Sequence, residues 1–381
     1  MSDIAVTVTD ENSITVQQLR KRYGGAQATE PSYAVDGVSF EVPKGQFITL
    51  VGPSGCGKTT TLRCIAGLEQ PTEGRITIAG RVVFDGAGRR TVRTEDRPIA
   101  MVPQSYGIWP HMTVLENVAF PLRHGRNRKG QHDIRERALA MLDQVGLAAY
   151  AERWATQLSG GQQQRLSLAR ALIAEPEVLL LDEPLSNLDA KLRTRLRIEL
   201  REFQERFGVT TVYVTHDQSE ALALSDTVVL MNEGHVEQVD RPNRIYEQPQ
   251  SSFAADFIGG ANLIPVRSVT MRSDGLLAET DAGTLLCASE NQAGPTSGGF
   301  VCVRPENVEV SARTSSAGTA DGLNEITGKV TASEYLGDRL EFILDVQGVR
   351  LKAQTPASMG VRPGDEVTVR IEPSRARYLA S

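Results

Sequence analysis

Leu50-Val51-Gly52-Pro53-Ser54-Gly55-Cys56-Gly57-Lys58-Thr59-Thr60 decides how this 381-residue chain reads. From Gly52 to Thr59 it completes the pattern G-x-x-x-x-G-K-[ST]. Residues 46–51 before it form a short apolar, β-branched run, the signature of a buried strand. Residues 60–67 after it place Leu62, Ile65 and Ala66 at helical spacing. Strand, glycine loop and helix together give the context that makes the pattern more than a coincidence. Gly52, Gly55 and Gly57 let the backbone curl into a nest of N–H donors at the positive end of that helix. Lys58 can reach terminal phosphates and the Thr59 hydroxyl can ligate Mg²⁺. The stretch reads as a nucleotide-phosphate site.

Composition bounds what surrounds it. With 381 residues, two or three domains are expected. Lys plus Arg number 41 against 47 acidic residues, a net charge of −6, so no strongly basic face is imposed. Residues 1–12 carry acidic groups and no apolar segment, and no run approaches the roughly 18 residues of a membrane span. The four cysteines (Cys56, Cys64, Cys287, Cys302) form no C-x-x-C pair. A soluble, reduced, cytoplasmic protein is the expectation.

Upstream, residues 13–23 and 33–42 are β-rich runs flanking a polar loop over 24–32. Tyr23 is open to two readings, an aromatic that stacks on a nucleotide base or an ordinary core or surface tyrosine. Downstream, residues 75–78, 81–84 and 99–102 read as strands. Pro103, Gly107, Pro110 and Pro121 punctuate an aromatic-rich loop and a short helix starting near Thr113, where Thr113-x-x-Glu116 has capping-box spacing. Residues 133–145 form an amphipathic helix, and the basic stretch 123–129 reads as a solvated loop or an anion site.

Leu158-Ser159-Gly160-Gly161-Gln162 opens another helix, running to Ala174. Ser159 and Gln162 can simply cap it; alternatively the glycines and the hydroxyl expose donors for a phosphate. Val178-Leu179-Leu180-Leu181 is an apolar strand ending in Asp182-Glu183, and carboxylates there are costly unless paired or metal-bound. In such a protein Asp182 suits Mg²⁺ and Glu183 suits a base that polarises water. Residues 190–207 form an amphipathic helix and 209–214 a strand; His216, past its end, is either structural or at the ligand edge of an α/β sheet. Residues 227–232 and 235–240 form a hairpin. After Gly259-Gly260 the character changes to short β runs, including 300–303, 329–333 and 367–371, with loose connections at 292–299 and 314–322. That pattern suggests a small β-barrel in which acidic residues outnumber basic ones, which disfavours nucleic acid.

In this order the motifs closely resemble, over nearly the whole chain, the ATP-binding subunits of bacterial ABC importers that carry a carboxyl-terminal OB-like TOBE domain. The fold class implied is α/β: a P-loop NTPase ABC cassette over 1–240, with a mixed sheet core and a helical subdomain near 105–165. A linker at 241–261 and an all-β TOBE domain at 262–381 complete it. The resemblance assigns Tyr23 to stacking on adenine and the residues from Gly52 to Thr60 to the phosphates. It makes Gln104 the Q-loop glutamine, which senses Mg²⁺ and the attacking water. Ser159, Gly160, Gly161 and Gln162 become the ABC signature, Asp182 the Mg²⁺-associated aspartate, and Glu183 the catalytic base. Ser186-Asn187-Leu188-Asp189 becomes the D-loop and His216 the switch histidine. Two departures stand out: the loop between Tyr23 and Asp36 is long, and Pro103 replaces an aromatic common before the Q-loop glutamine.

The implied cofactors are ATP and Mg²⁺. Signature residues of one copy would close on ATP held by a second, so the active form is a head-to-tail homodimer. It would work with two integral-membrane permease subunits and, indirectly, a periplasmic or extracellular solute-binding protein, as a peripheral protein on the cytoplasmic face of the inner membrane. Gln163 and Ser167-Leu168-Ala169-Arg170 resemble the ferric-iron, polyamine or phosphonate branches more than the sugar (maltose-type) branch. A non-transport ABC ATPase is the alternative, but the chain has one P-loop and no sustained heptads.

Overall fold

The computed structural model describes residues 12–23, 33–124, 131–186, 188–288, 298–312 and 324–380. The expectations for the loop at 24–32, for most of the basic stretch 123–129, for the connections at 292–297 and 314–322, and for Asn187 lie outside them. The chain forms two compact units, Met1–Asn243 and Arg244–Ser381.

In the first unit an antiparallel sheet is built from β1 (Asn12–Arg22), β2 (Tyr33–Pro43), β4 (Glu73–Ile78), β5 (Arg81–Asp85) and β6 (Arg90–Thr91), in the order β2-β1-β4-β5-β6. The second sheet positions the chemistry. Its strands are β3 (Phe47–Val51), β7 (Ile99–Val102), β8 (Val178–Asp182), β9 (Thr210–Thr215), β10 (Thr227–Asn232) and β11 (His235–Asp240), in the order β11-β10-β3-β9-β8-β7. Pairing from β10 through β7 is parallel, and only the β10–β11 hairpin is antiparallel. Every residue of β3, β8 and β9 is buried, as apolar runs in a parallel sheet covered on both faces must be.

Helix α1 (Lys58–Ala66) follows β3 through the glycine loop and ends at Gly67, whose φ of 81° closes the helix in the left-handed region. Its Leu62 and Ile65 are fully buried in a core shared with Ile14 and Val16 of β1, Ile48 and Leu50 of β3 and Val212 and Val214 of β9. Burying those two side chains contributes about 3–6 kcal/mol before entropy is subtracted. Arg97, itself buried, donates through Nη1 to the Cys64 and Ile65 carbonyls at 2.8 and 2.6 Å, satisfying the last turn of α1. The helix that follows the phosphate loop is thereby fixed at its far end.

Helices α2 (Val114–His124), α3 (Gln131–Gln144) and α4 (Gly160–Leu172) pack around their own core of Val114, Val118, Ala138, Leu142, Leu166 and Ala169. The capping box at α2 is present: Glu116 accepts from Thr113 N–H at 2.8 Å and Thr113 Oγ1 accepts from Glu116 N–H at 3.2 Å. Pro121, one of the prolines expected to punctuate the loop and the short helix, lies inside α2, three residues before its end. It forfeits one backbone bond near the helix end, while buried Asn117 clamps the preceding loop by donating to the carbonyls of Trp109 and Thr113 at 3.1 and 3.0 Å. The unit is completed by α5 (Ala190–Phe207) and α6 (Gln218–Leu224).

Among the described residues the second unit holds ten strands. A sheet ordered β14-β13-β12-β15-β21 comprises β12 (Asn262–Arg272), β13 (Gly275–Thr280), β14 (Gly283–Cys287), β15 (Phe300–Val303) and β21 (Arg377–Leu379). Its companion, β16-β20-β17-β18-β19, comprises β16 (Val308–Ala312), β17 (Glu325–Tyr335), β18 (Arg339–Val346), β19 (Val349–Pro356) and β20 (Glu366–Ile371). Both sheets contribute to one core, with Ile264, Leu276 and Leu285 meeting Phe342, Leu344 and Val369. Residues 241–261, read from sequence as a linker, carry two helices, α7 (Pro242–Glu247) and α8 (Ser252–Phe257). The buried Arg304 guanidinium holds that segment, donating to the carbonyls of Tyr246, Ala255 and Ile258.

Candidate functional site

The carboxyl ends of four neighbouring parallel strands, β3, β9, β8 and β7, each lead into one candidate segment. They carry the glycine loop, His216, Asp182-Glu183 and Gln104 respectively. Ligands in open α/β sheets bind at that edge.

In the loop after β3, Gly55 and Gly57 take φ of 84° and 100°, values that favour glycine. A β-carbon on Gly57 would also lie 2.3 Å from the Ala34 carbonyl oxygen. Lys58 is buried, and its Nζ donates to the carbonyls of Gly52 and Pro53 at 2.8 Å each. The ammonium is thus held over its own loop by neutral acceptors, without a carboxylate among its hydrogen-bond partners. Cys56 is buried with Sγ 3.6 Å from Lys58 Nζ, and burial pushes its thiol up. Ser54 and Gly55 are exposed at the tip, while Thr60 lies half-buried in the first turn of α1.

Thr59 Oγ1 donates to Asp182 Oδ1 at 3.0 Å. Burial pushes the Asp182 carboxyl up, against the smaller opposing pulls of the Thr59 hydroxyl and the Arg63 charge. Ionising Asp182 therefore costs stability, and a divalent cation would offset that cost. No cluster of three His, Cys, Asp or Glu side chains forms a metal cage among the described residues. One carboxylate and one hydroxyl, completed by phosphate and water oxygens, is how Mg²⁺ is commonly held. The donor set fits.

Glu183 follows with φ of 44°, a left-handed backbone that a glutamate rarely adopts, pinned by its N–H to the Val214 carbonyl at 3.0 Å. Such strain is retained where surrounding structure over-determines it. Its carboxylate gathers the neighbours: Gln104 Nε2 lies 3.3 Å from Oε2, and His216 Nδ1 lies 3.2 Å from Oε1. Gln104 Nε2 also reaches Ser186 Oγ at 3.3 Å. Behind Gln104 the loop is anchored to α4, since Ser167 Oγ and Arg170 Nη2 donate to the Tyr106 carbonyl at 2.6 and 3.1 Å. Gln104, Glu183 and His216, chosen from separate parts of the sequence, thus converge on one carboxylate.

Ser159 is the N-cap of α4, where Gln162 Oε1 accepts its N–H at 2.9 Å, so the capping reading of this pair holds. Gly161 packs against Leu192 and Leu196 of α5, whose methyls lie 3.4 Å from where a β-carbon would be, and Gly160 lies against Leu188. Asp189 caps α5, accepting from Leu192 N–H at 2.9 Å. Tyr23 is about half exposed, with the Lys21 ammonium 4.9 Å from its ring centroid. Sequence reading missed Arg193, Asp217 and Glu220, which surround the His216 segment. The one available signal was the Asp217-x-x-Glu220 capping spacing at α6.

A nest of N–H donors with a buried lysine, a carboxylate–hydroxyl pair and a strained glutamate flanked by glutamine and histidine define a P-loop nucleotide-hydrolysing cassette. The family described as ABC transporter matches residues 35–186, and the TOBE domain family matches residues 301–379. The Fe(3+) ions import ATP-binding protein FbpC of Brucella abortus (strain 2308) is 42% identical over 353 residues, 92% of this chain and 93% of its own length. Its counterpart in Rhizobium etli is 41% identical over 361 residues, covering 94% and 95%. Among solved structures, the dimeric ABC transporter cassette MJ0796 matches at a TM-score of 0.51 and 33% identity, over 60% of this chain and 98% of that one. The same cassette in a dimeric post-hydrolysis state bound to ADP and Pi matches at 0.51 and 32%. The chain belongs to the ABC transporter family of ATP-binding proteins, with a carboxyl-terminal TOBE domain. It is an ABC-type ATPase.

Proposed function

We propose that this ATPase powers import of ferric iron, as the energy-coupling subunit of a membrane complex. The observation that carries the reading is the 42% identity to an Fe(3+) ions import ATP-binding protein across both cassette and carboxyl-terminal domain. In the proposed cycle the loop around Lys58 binds the ATP phosphates, and Glu183 accepts the proton of the attacking water. Gln104 and His216 hold that carboxylate between them and orient the water. Thr59 and Asp182 would hold Mg²⁺, which neutralises phosphate charge when bound. Two copies close head to tail, each presenting Ser159 and Gly161 to the nucleotide of the other, and loss of the terminal phosphate releases them.

The proposed permease partners would dock beside Gln104. An open groove of about 910 Å³ beside Gln104 is lined by Leu68, Met101, Trp109 and Phe120 together with the charged Arg63, Glu69, Arg170 and Asp182, and Leu68 and Trp109 are exposed. No helix of the described residues is long and apolar enough to cross a membrane, so coupling needs partners that do. Uptake of labelled ferric iron tests the assignment, using cells deleted for this gene and complemented with wild type or Glu183→Gln. Wild type should restore uptake and Glu183→Gln should not. Unchanged ferric uptake in the deletion, with polyamine or maltose uptake lost instead, would overturn the iron reading and leave the ATPase standing.

A further inference from the structure

A buried charge network sits behind His216 and touches none of the groups that hold the phosphates or the attacking water. Glu220 is almost fully buried, and its Oε2 accepts from the hydroxyls of Tyr213 at 2.7 Å and Thr215 at 2.6 Å. Burial, followed by the Glu220 charge, pushes the Tyr213 phenol well up, so the phenol stays a donor. Thr215 Oγ1 also accepts from Asp217 N–H at 3.0 Å, and Asp217 Oδ1 accepts from the N–H groups of Ser219 and Glu220 at 2.8 and 3.2 Å. His216, whose own side chain reaches Glu183 at 3.2 Å, therefore sits between two residues whose positions the network fixes.

One cation joins this network to another part of the site. Arg193, on α5, donates through Nη1 to Asp217 Oδ2 at 3.3 Å and through Nη2 to the Leu188 carbonyl at 3.1 Å. Its Nε is buried without a hydrogen-bond partner, and Glu220 Oε1 stands 3.8 Å away, just beyond reach. Leu188 belongs to the segment between Glu183 and α5, and its side chain lies against Gly160 at the start of α4. Arg193 thus joins Leu188, through a planar, rigid guanidinium, to Asp217 and Glu220 beside His216. The short gap to Glu220 gives the guanidinium a second acceptor to close on when it moves.

We propose that Arg193 is a positioning residue for ATP hydrolysis: it couples the Leu188 segment to His216, and through His216 to the Glu183 carboxylate 3.2 Å away. It touches no reacting atom. The inference rests on the ATPase reading of the site, and wild-type hydrolysis in the same assay is the control that separates the two. If hydrolysis needs this coupling, Arg193→Gln lowers kcat by about ten- to a hundred-fold, the scale on which small misplacements act. The KM for ATP and the affinity for a labelled ATP analogue stay within about two-fold, because no phosphate contact is lost.

Because Arg193→Gln leaves Glu220 buried without its cation, the purified full-length chain is also made as Arg193→Gln with Glu220→Gln. That pair removes both charges while keeping hydrogen-bonding groups at both positions. The expected result is a double variant with wild-type thermal stability and still-depressed kcat. Recovery of kcat along with stability would mean that Arg193 only neutralises Glu220, and would overturn the proposal. So would a raised KM with unchanged kcat, which would place Arg193 on the nucleotide.

Discussion

Glu183→Gln should lower ATP hydrolysis by about 10²- to 10⁴-fold, the usual worth of a general base. Glutamine keeps the size of the side chain and can still hydrogen-bond Gln104 and His216, which now lie 3.3 and 3.2 Å from the carboxylate. It cannot accept the proton of water. The strained backbone at Glu183, with φ of 44°, imposes the same demand on either residue, so the fold is unaffected. ATP should bind as before, because Lys58 and the glycine loop are untouched. Hydrolysis measured under saturating ATP checks the rate, and equilibrium binding of a labelled analogue checks the affinity. Hydrolysis at the wild-type rate would remove Glu183 from the role of base.

Lys58→Ala acts on the other half of the site. The ammonium is buried and donates to two loop carbonyls, so it supplies both charge for the phosphates and support for the loop. A charged hydrogen bond is worth about 1.5–3 kcal/mol, which corresponds to roughly ten- to hundred-fold in affinity. ATP affinity should fall by at least that much, and hydrolysis at fixed ATP should fall with it. A melting curve without nucleotide separates lost binding from a disordered loop. Unchanged affinity would refute the assignment of residues 52–59 to the phosphates.

The parts of the site that were legible in sequence share a physical reason. The glycine loop can be read because the φ values at Gly55 and Gly57 favour glycine and the strand and helix beside it have different hydrophobic periods. Asp182 and Glu183 stood out because acidic residues at the end of a wholly apolar strand demand a purpose. Gln104 had no such signal and came from family resemblance; its meaning appears only when β7 pairs with β8 and brings it to Glu183. Arg193 was invisible for the same reason, since its acceptors lie on separate segments joined only by folding. Residues 241–261 looked like a linker because their anchor, Arg304, is 46 residues away from the Ile258 carbonyl it holds. Pro121 did not end the short helix at once, since a proline near a helix end costs a single backbone bond.

If ATP closes two copies of this chain head to tail, as proposed, Ser159 of one faces the phosphate loop of the other. Ser54 and Ser159 are both exposed, which makes them suitable reporters. One preparation carries Ser54→Cys and a second Ser159→Cys, each with Glu183→Gln to prevent opening; the four native cysteines are buried. Mixed and treated with a short oxidant pulse, the two should give a disulfide-linked dimer with ATP and Mg²⁺ and little with ADP. No crosslink with ATP, or an equal yield with ADP, would contradict nucleotide-driven closure.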